Sequence, residues 1–304
     1  MFGNVRTPSL DGATEWINSE PLTPADLHGH VVLFDFWTYT CINWLRTLPY
    51  IRAWSRKYKD DGLIVIGVHT PEFEFEHDLE NVRHQVKAMG VDYPVAVDND
   101  YKVWDAFANR YWPALYIADK EGVIRDHHFG EGRYEESERV IQELLGVERE
   151  LVSAEGADFE APADWNDLGS PETYLGYERG DGRSDIAPSE LRRNQWTLSG
   201  DWSVRPQGVA LNEPGGGIAY RFHARDLHLV LGPYNGTGSV RFRVLVDGEA
   251  PGESHGSDVD DQGNGVVSEQ RLYQLIRQHG HIDDRTFEIT FLDPGVEAYV
   301  FTFG

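Results

Sequence analysis

Hydrophobic residues follow two different periods along the first half of the chain. Apolar, β-branched runs predict buried strands over residues 30–37 (HVVLFDFW) and 63–70 (LIVIGVHT), and helical spacing follows over 42–58 and 75–89. The pattern then predicts a strand, a short helix, two strands and a last helix, at residues 94–98, 102–108, 113–119, 123–130 and 135–145. Strands separated by helices favour parallel pairing, so this region is predicted to be an α/β domain that ends in a β-hairpin and a helix.

The pattern changes after residue 149. Residues 150–170 are acidic and interrupted by Gly and Pro, which is typical of a linker. Beyond the linker, apolar and polar residues alternate with period two in at least five segments, at residues 217–225, 227–232, 239–248, 285–293 and 296–304. No helical crossovers separate these segments, so residues 171–304 are predicted to form an all-β antiparallel sandwich or jelly roll, and residues 1–149 to form the α/β domain.

Length and charge restrict the possible partners. A chain of 304 residues suits two domains, and 27 basic against 51 acidic residues give a net charge of −24. This field repels nucleic acid and anionic membranes, so neither is an expected partner. Only five of the basic residues are lysines, which favours a halophilic source over an ordinary acidic protein. Without a signal peptide or a membrane span, the protein as given is expected to be cytoplasmic.

Cys41 is the only cysteine, so an internal disulfide is excluded and a reducing compartment is favoured. A predicted strand turns into a helix near Cys41, with Thr40 as the predicted N-cap, and a helix start favours a thiolate. Thiol-disulfide exchange normally uses a second cysteine three residues later, but Trp44 stands at that position. Cys41, Trp44, Leu45 and Leu48 share one helical face, so Trp44 is predicted to point inward.

Several segments resemble one known family. DFWTYTCINWLRTLPYI, GVHTPEFEFE and NRYWPALYIAD are similar to the thioredoxin-like domain of DipZ-type thiol:disulfide interchange proteins. ETYLGYERG, EQRLYQLIRQ and FLDPGVEAYVFTFG resemble the carbohydrate-binding-module-like domain that follows it. The resemblance covers nearly the whole chain and implies a thioredoxin fold joined to a β-sandwich. The chain departs from the family at Trp44, and it lacks the membrane-spanning electron-transfer portion that many members have.

The resemblance also implies roles for individual residues. Cys41 matches the attacking cysteine, Asp35 the buried carboxylate beneath it, and Pro113 the cis-proline that faces it. The backbone of Trp112 is then expected to pair with an extended substrate, because a cis-proline turns the strand end toward the sulfur. The residues assigned to substrate binding are Trp37, which matches the wall of the active site, together with Trp44, Trp112 and Pro113.

Three interpretations of Cys41 remain open. As a monothiol it would form mixed disulfides with protein or small-molecule partners, which an external thiol resolves. As a one-cysteine peroxidase it would form a sulfenic acid, although Phe34 stands where that motif has proline. In a redox-inert protein, the Pro113 groove and the sandwich would only bind partners. An exposed Cys41 would also be able to join two chains through a disulfide.

His69 ends the strand next to the one that leads to Cys41, and it is a candidate to favour the thiolate or to shuttle a proton. A buried structural histidine is the alternative interpretation. His127 and His128 have no partner at metal-ligand spacing, so they are interpreted as surface residues. No cofactor is expected.

The second domain offers two candidate binding features. Residues 258–269 (DVDDQGNGVVSE) fit part of the calcium-loop formula through Asp258, Asp260, Gly263 and Glu269, although an acidic connection without calcium is the alternative. A carbohydrate or a protein is a possible partner of the sandwich. The aromatic candidates for sugar stacking, which are core residues in the alternative interpretation, are Tyr174, Tyr177, Trp196, Trp202 and Tyr234.

Overall fold

The computed structural model describes residues 5–153, 161–234 and 238–304. It contains two compact units, of which the first ends at Ala161 and the second begins at Pro162. Among the described residues, no helix has both the length and the apolar character needed to cross a membrane.

The first unit is built on one mixed sheet. Its described strands are β1 (Glu15–Ile17), β2 (Val31–Trp37), β3 (Leu63–His69), β4 (Val95–Val97), β5 (Ala114–Ala118) and β6 (Ile124–Phe129). Its described α-helices are α1 (Pro24–Leu27), α2 (Ile42–Lys57), α3 (Leu79–Ala88), α4 (Lys102–Ala106) and α5 (Tyr134–Leu145). The strand order is β1-β4-β3-β2-β5-β6. Strands β2, β3 and β4 run parallel, and β1, β5 and β6 pair antiparallel to their neighbours.

The thioredoxin-like α/β fold that the sequence predicts is confirmed. Strand β2 lies between β3 and β5, and all seven of its residues are buried, as expected of an apolar central strand. Helix α3 begins at Leu79, later than predicted, because Glu74–His77 forms a separate 3₁₀ helix and Asp78 accepts a hydrogen bond from the Glu80 amide as N-cap. Strand β1 was not predicted, since three residues are too few to show a period.

The second unit is an antiparallel β domain, as predicted. Its described strands are β7 (Thr173–Tyr174), β8 (Trp196–Ser199), β9 (Trp202–Val204), β10 (Val209–Leu211), β11 (Gly217–Phe222), β12 (Asp226–Pro233), β13 (Val240–Val246), β14 (Asn264–Val267), β15 (Arg271–Arg277), β16 (Arg285–Phe291) and β17 (Val296–Phe303). One sheet has the order β15-β12-β17-β10-β9 with β7 beside β17, and the other has the order β14-β13-β16-β11-β8.

The two sheets of the second unit share one hydrophobic core. The Phe301 ring of the first sheet lies 5.0 Å from the Tyr220 ring and 5.8 Å from the Phe287 ring of the second. Buried and exposed residues alternate in β13, where Val240, Phe242 and Val244 are buried while the residues between them are exposed. A sandwich of two facing sheets follows from these contacts.

The predicted linker is only partly described, since residues 154–160 lie outside the described ranges. Its last residues are fixed to the second unit: the Gly169 amide donates to the His223 carbonyl at 2.8 Å, and the Ser170 hydroxyl donates to Asn194 Oδ1 at 2.7 Å. Ala163 is also buried. The residues near 170 therefore belong to the packed domain rather than to a free linker.

A buried charge cluster lies at the start of β12. Asp226 is fully buried and accepts hydrogen bonds from Arg225 Nη2 and from Arg277 Nε, the latter at 2.7 Å. Burial raises the pKa of Asp226, but these two arginines more than reverse that effect and the net pKa is lowered. The Asp226 amide also donates to the Gly304 carbonyl at 2.7 Å. The Asp226 backbone therefore joins the start of β12 to Gly304, and the Asp226 side chain joins β12 to Arg277 at the end of β15.

We expect Asp226→Ala to lower the free energy of unfolding by about 3–5 kcal/mol, because it leaves two guanidinium groups around a buried site without their carboxylate. Arg241→Ala, which breaks the exposed pair of Arg241 with Asp293, is the control and should change the free energy of unfolding much less, because solvent screens that pair. Urea unfolding of the full chain, followed by circular dichroism, measures both. Equal losses in the two variants would contradict a stabilising role for the cluster.

Candidate active site around Cys41

Cys41 lies at the start of α2, in the turn that follows β2. Its amide donates to the Thr38 carbonyl at 3.3 Å, and its own carbonyl accepts from the Leu45 amide at 3.0 Å. Cys41 is itself the N-cap of the helix, so the prediction that Thr40 is the N-cap was wrong; the Thr40 side chain bonds elsewhere. Cys41 is partly exposed and lies at the positive end of α2, where a thiolate is favoured.

Trp44 occupies the interior below Cys41, as predicted. It is fully buried, and its indole Nε1 donates to Asp35 Oδ2 at 3.0 Å. Its ring stacks on Trp37, with centroids 4.1 Å apart and planes inclined by 14°. Trp37 is fully buried as well. The prediction that Trp37 and Trp44 contact substrate was therefore wrong, because neither ring reaches the surface.

Asp35 lies in the centre of β2 and has no contact with solvent. Burial raises the pKa of Asp35 to about 7, while the Trp44 indole and the neighbouring Tyr93 hydroxyl act in the opposite direction. A buried carboxylate of this kind would serve a second thiol at position 44, but Trp44 takes that place. Asp35 instead holds the Trp44 ring in position.

His69 ends β3 and is enclosed by aromatic rings. It is fully buried, its ring stands edge-on to Trp37 at 4.8 Å, and Tyr39 stacks on it at 5.8 Å. Burial, and to a lesser extent the nearby His77, lower the pKa of His69 to about 3, so the imidazole is neutral near pH 7. A neutral, enclosed ring supplies no positive charge to a thiolate. These contacts give His69 a packing role in place of the predicted catalytic one.

Trp112 and Pro113 form the opposite wall of the site. The Trp112–Pro113 peptide bond is cis, in agreement with the prediction, and Cys41 Sγ lies 3.8 Å from the Trp112 carbonyl oxygen. The Trp112 indole donates to the Thr70 carbonyl at 3.1 Å, and its ring packs on Trp104 at 4.4 Å. The structure thus brings Cys41, Trp112 and Pro113 together, as the sequence predicts.

Glu76 is a residue of this site that the sequence analysis missed. It is fully buried, and its Oε1 accepts a hydrogen bond of 2.7 Å from the Thr40 hydroxyl, one residue before Cys41. Burial raises the pKa of Glu76 to about 7, against the effect of its hydrogen bonds from Thr38, Thr40 and Phe73. The only signal in the sequence was its place in GVHTPEFEFE, which also carries the resemblance.

The calcium loop is not formed. Asp258 and Glu269 both pair with Arg271, at 2.7 and 3.3 Å, and Asp260 accepts from the Gln262 and Asn264 amides. Over the described ranges, no group of three or more His, Cys, Asp or Glu side chains converges as metal ligands would. The acidic residues of this segment neutralise an arginine and close a turn, which is the alternative that the sequence left open.

The aromatic candidates of the sandwich do not form one exposed platform. Trp196 belongs to the core, and Trp202 packs edge-on against Phe291 at 5.9 Å. Guanidinium groups cover Tyr174 and Tyr234, at 3.8 Å for Arg179 and 4.1 Å for Arg205. Tyr177 remains largely exposed.

The two neighbouring histidines of β6 are engaged with protein groups. The Nε2 atom of His128 lies 3.0 Å from the Glu131 carbonyl oxygen, and His127 packs between Tyr116 and Phe129. Both are partly buried. They have structural contacts of their own, so the prediction that they are surface residues holds only in part.

The raised pKa of Asp35 makes stability depend on pH. The folded state holds this proton up to about pH 7 and the unfolded state releases it near 4, so the free energy of unfolding falls as pH rises through this window. We expect Asp35→Asn to remove a fall of at most about 4 kcal/mol between pH 4 and 8, because each pKa unit corresponds to about 1.36 kcal/mol. Urea unfolding at several pH values measures it. Asp26→Asn is the control, because Asp26 is exposed and its pKa is lowered. Its free energy of unfolding should change with pH as in the wild type between about pH 6 and 8. An unchanged pH dependence in Asp35→Asn would contradict the argument.

Comparison with known proteins agrees with this architecture. Residues 8–127 match the AhpC/TSA family, and residues 170–304 match a family described as the thioredoxin like C-terminal domain. DipZ of Mycobacterium tuberculosis is 38% identical over 259 residues, which are 80% of this chain and 36% of DipZ. The chain therefore spans little more than a third of the length of that relative.

Two shorter proteins are similar to the first unit. The thiol-disulfide oxidoreductase YkuV of Bacillus subtilis is 29% identical over 138 residues, which are 45% of this chain and 93% of YkuV. The solution structure of a thioredoxin-like protein in the oxidized form is 30% identical, with a TM-score of 0.43, and the match covers 47% of this chain and 97% of that one. The first unit thus contains a region that matches the AhpC/TSA family and is similar to a thiol-disulfide oxidoreductase, the antiparallel second unit matches the family described as the thioredoxin like C-terminal domain, and 80% of the chain is similar to part of DipZ.

Proposed function

We propose that the first domain carries out thiol-disulfide exchange as a monothiol through Cys41. The Cys41 thiolate attacks one sulfur of a partner's disulfide, forms a mixed disulfide and releases the other sulfur as a thiolate. An external thiolate then attacks the partner's sulfur in the mixed disulfide, forms a new disulfide with it and releases Cys41 as a thiolate. The external thiol is required because Trp44 stands where a second cysteine would lie.

The observation that carries this proposal is the position of the sulfur. Cys41 is partly exposed, begins α2, and lies 3.8 Å from the carbonyl oxygen of Trp112 beside the cis bond to Pro113. A helix start favours the nucleophilic thiolate, and an accessible strand end beside it supports pairing with an extended polypeptide. A buried sulfur would instead have supported a redox-inert role.

We propose a protein disulfide, rather than a small molecule, as the partner. Tyr111 and Phe129 are 55% and 40% exposed, and their rings lie 5.1 Å apart. Tyr111 directly precedes Trp112, and Phe129 pairs with Ala114, the residue after Pro113. Two exposed aromatic rings that pack together beside the cis-proline segment would bury apolar side chains of a polypeptide that reaches Cys41.

For the second domain we propose a role in positioning the protein partner. Sugar stacking has weaker support, because of the five aromatic candidates only Tyr177 is largely exposed. Because function is argued from a site rather than from a fold, the sandwich architecture of the second domain does not by itself favour sugar binding.

The first test is the rate at which iodoacetamide labels Cys41 in the folded protein between pH 4 and 10, followed by mass spectrometry. We expect a midpoint well below about 8.5, the value of a free cysteine, because the helix start favours the thiolate. Oxidised glutathione should add one glutathione to Cys41, and a reducing thiol should remove it; Cys41→Ser is the control and should give neither product. Protection of Cys41 from labelling until the protein unfolds would support the redox-inert interpretation. A sulfenic acid that forms on Cys41 with peroxide faster than the glutathione adduct forms with oxidised glutathione would support the peroxidase interpretation.

A second test addresses the class of partner. We expect the double variant Tyr111→Ser/Phe129→Ser to react about tenfold more slowly with an unfolded, disulfide-bonded protein, since tenfold corresponds to about 1.4 kcal/mol of lost contact. Its rate with oxidised glutathione should stay within about twofold of the wild type, because that probe is too small to need both rings. Tyr177→Ser removes an exposed aromatic ring from the second domain and serves as the control. An equal loss with both disulfides would contradict a protein-specific surface.

A further inference from the structure

We propose that Glu76 is a positioning residue for Cys41 and acts through Thr40; this inference rests on the proposed function of Cys41. Glu76 lies 35 residues after Cys41 in the sequence, within the 3₁₀ helix Glu74–His77. It touches neither a substrate nor the sulfur in any contact described above. The effect of Glu76 on the reaction would therefore pass through Thr40, the residue that precedes the nucleophile Cys41.

The carboxyl group of Glu76 is engaged on both oxygens. Oε1 accepts from the Thr40 hydroxyl at 2.7 Å, and Oε2 accepts from the amides of Glu72 and Phe73 at 2.6 and 3.0 Å. Glu76 is fully buried, and only 2% of the surface of Thr40 is exposed. Buried hydrogen bonds to an ionisable carboxyl group are stronger than exposed ones, so this is a firm connection.

This connection joins two segments that leave the same edge of the sheet. Strands β2 and β3 are parallel and in register, with Trp37 opposite His69, and the Thr70 amide donates to the Trp37 carbonyl at 3.0 Å. The turn that carries Thr40 follows β2, and the segment that carries Glu76 follows β3. Glu76 therefore fixes the turn of Cys41 to the neighbouring segment at the point where α2 begins.

Thr40 is well placed to transmit this constraint to the sulfur. It is bonded covalently to Cys41, whose φ and ψ of −81° and 112° set the direction in which α2 starts. The same backbone geometry determines whether Sγ reaches the Trp112 carbonyl and whether it stays at the helix end that favours a thiolate. Loss of the Thr40 bond would leave the turn free to move, and the thiolate would lose part of that stabilisation.

A glutamate suits this position better than a glutamine. One oxygen faces a hydroxyl donor and the other faces two N–H donors, so both must accept hydrogen bonds. A glutamine amide has a single acceptor oxygen, and its NH₂ group would face either the backbone N–H groups or the Thr40 hydroxyl. With its oxygen toward the backbone N–H groups, a glutamine would donate from its NH₂ group to the Thr40 hydroxyl, which reverses that hydrogen bond and leaves it between neutral groups. Glu76→Gln therefore weakens the connection, since hydrogen bonds to an ionised carboxylate are the stronger ones, while it preserves the shape of the side chain.

The test measures the pH midpoint of Cys41 labelling by iodoacetamide in the full chain. Thr40→Val and Glu76→Gln should raise the midpoint by at least about half a pH unit, toward the free-cysteine value near 8.5. Thr40→Ser keeps the hydroxyl and should restore the wild-type midpoint. Glu138→Gln is the matched control: Glu138 is also a buried, hydrogen-bonded glutamate of the first unit, but its partners Lys57 and Tyr58 lie at the far end of α2, so the midpoint should not move.

Hydrogen exchange over residues 38–45 gives a readout that does not need a reactive sulfur. Exchange should be faster in Thr40→Val and Glu76→Gln than in the wild type, in Thr40→Ser and in Glu138→Gln.

Wild-type labelling midpoints in both Thr40→Val and Glu76→Gln would overturn the inference while leaving the proposed function intact. A wild-type Cys41 that resists labelling at every pH would overturn the proposed function, and hydrogen exchange would still decide whether Glu76 holds the turn. If Glu76→Gln does not fold, the comparison of Thr40→Val with Thr40→Ser decides alone.

Discussion

The hydrogen bond from the Trp44 indole to Asp35 is the contact on which the rest of the site depends. Asp35 lies in the middle of a fully buried strand, where a carboxyl group without a donor would cost several kcal/mol, on the order of 2–7. Trp44 supplies a donor that carries no charge, and its ring fills the space against Trp37. The first turn of α2 is thereby fixed to the central strand, and Cys41, one turn above Trp44, is fixed with it.

Helical geometry gives Cys41 and Trp44 different environments. Cys41 is the N-cap and stays partly exposed, while Trp44, three residues later, is held inside by Asp35. Trp44 cannot turn outward without removing its indole donor from the Asp35 carboxyl group and opening the core. One end of this helical turn is therefore open to a partner, and the other is closed. The site contains a single sulfur, so any mixed disulfide that forms on Cys41 has to be resolved by a thiol that approaches from the solvent.

Much of this arrangement was predictable, because it rests on short-range patterns. The apolar run of β2, the helical spacing that turns Trp44 inward and the position of Pro113 after Cys41 are all visible in the sequence. The environments of His69 and Glu76 were not predictable in the same way. Strand order brings His69 to the correct edge of the sheet, but only the packed structure shows that Trp37 and Tyr39 enclose it and keep it neutral. A glutamate is seldom buried, so nothing local distinguishes Glu76 from the acidic residues around it.

The Trp44 contact also determines what a return to a two-cysteine site would require. Replacing Trp44 with cysteine would remove the N–H donor of Asp35 and leave a cavity beside Trp37, and deletion of a buried aromatic ring costs about 3–5 kcal/mol. The pKa of Asp35, already raised by burial, would rise further without that donor, which would hinder its use as a base near neutral pH. The single-cysteine site is therefore tied to the packing of this core, and adding a second sulfur would not by itself recreate a working dithiol.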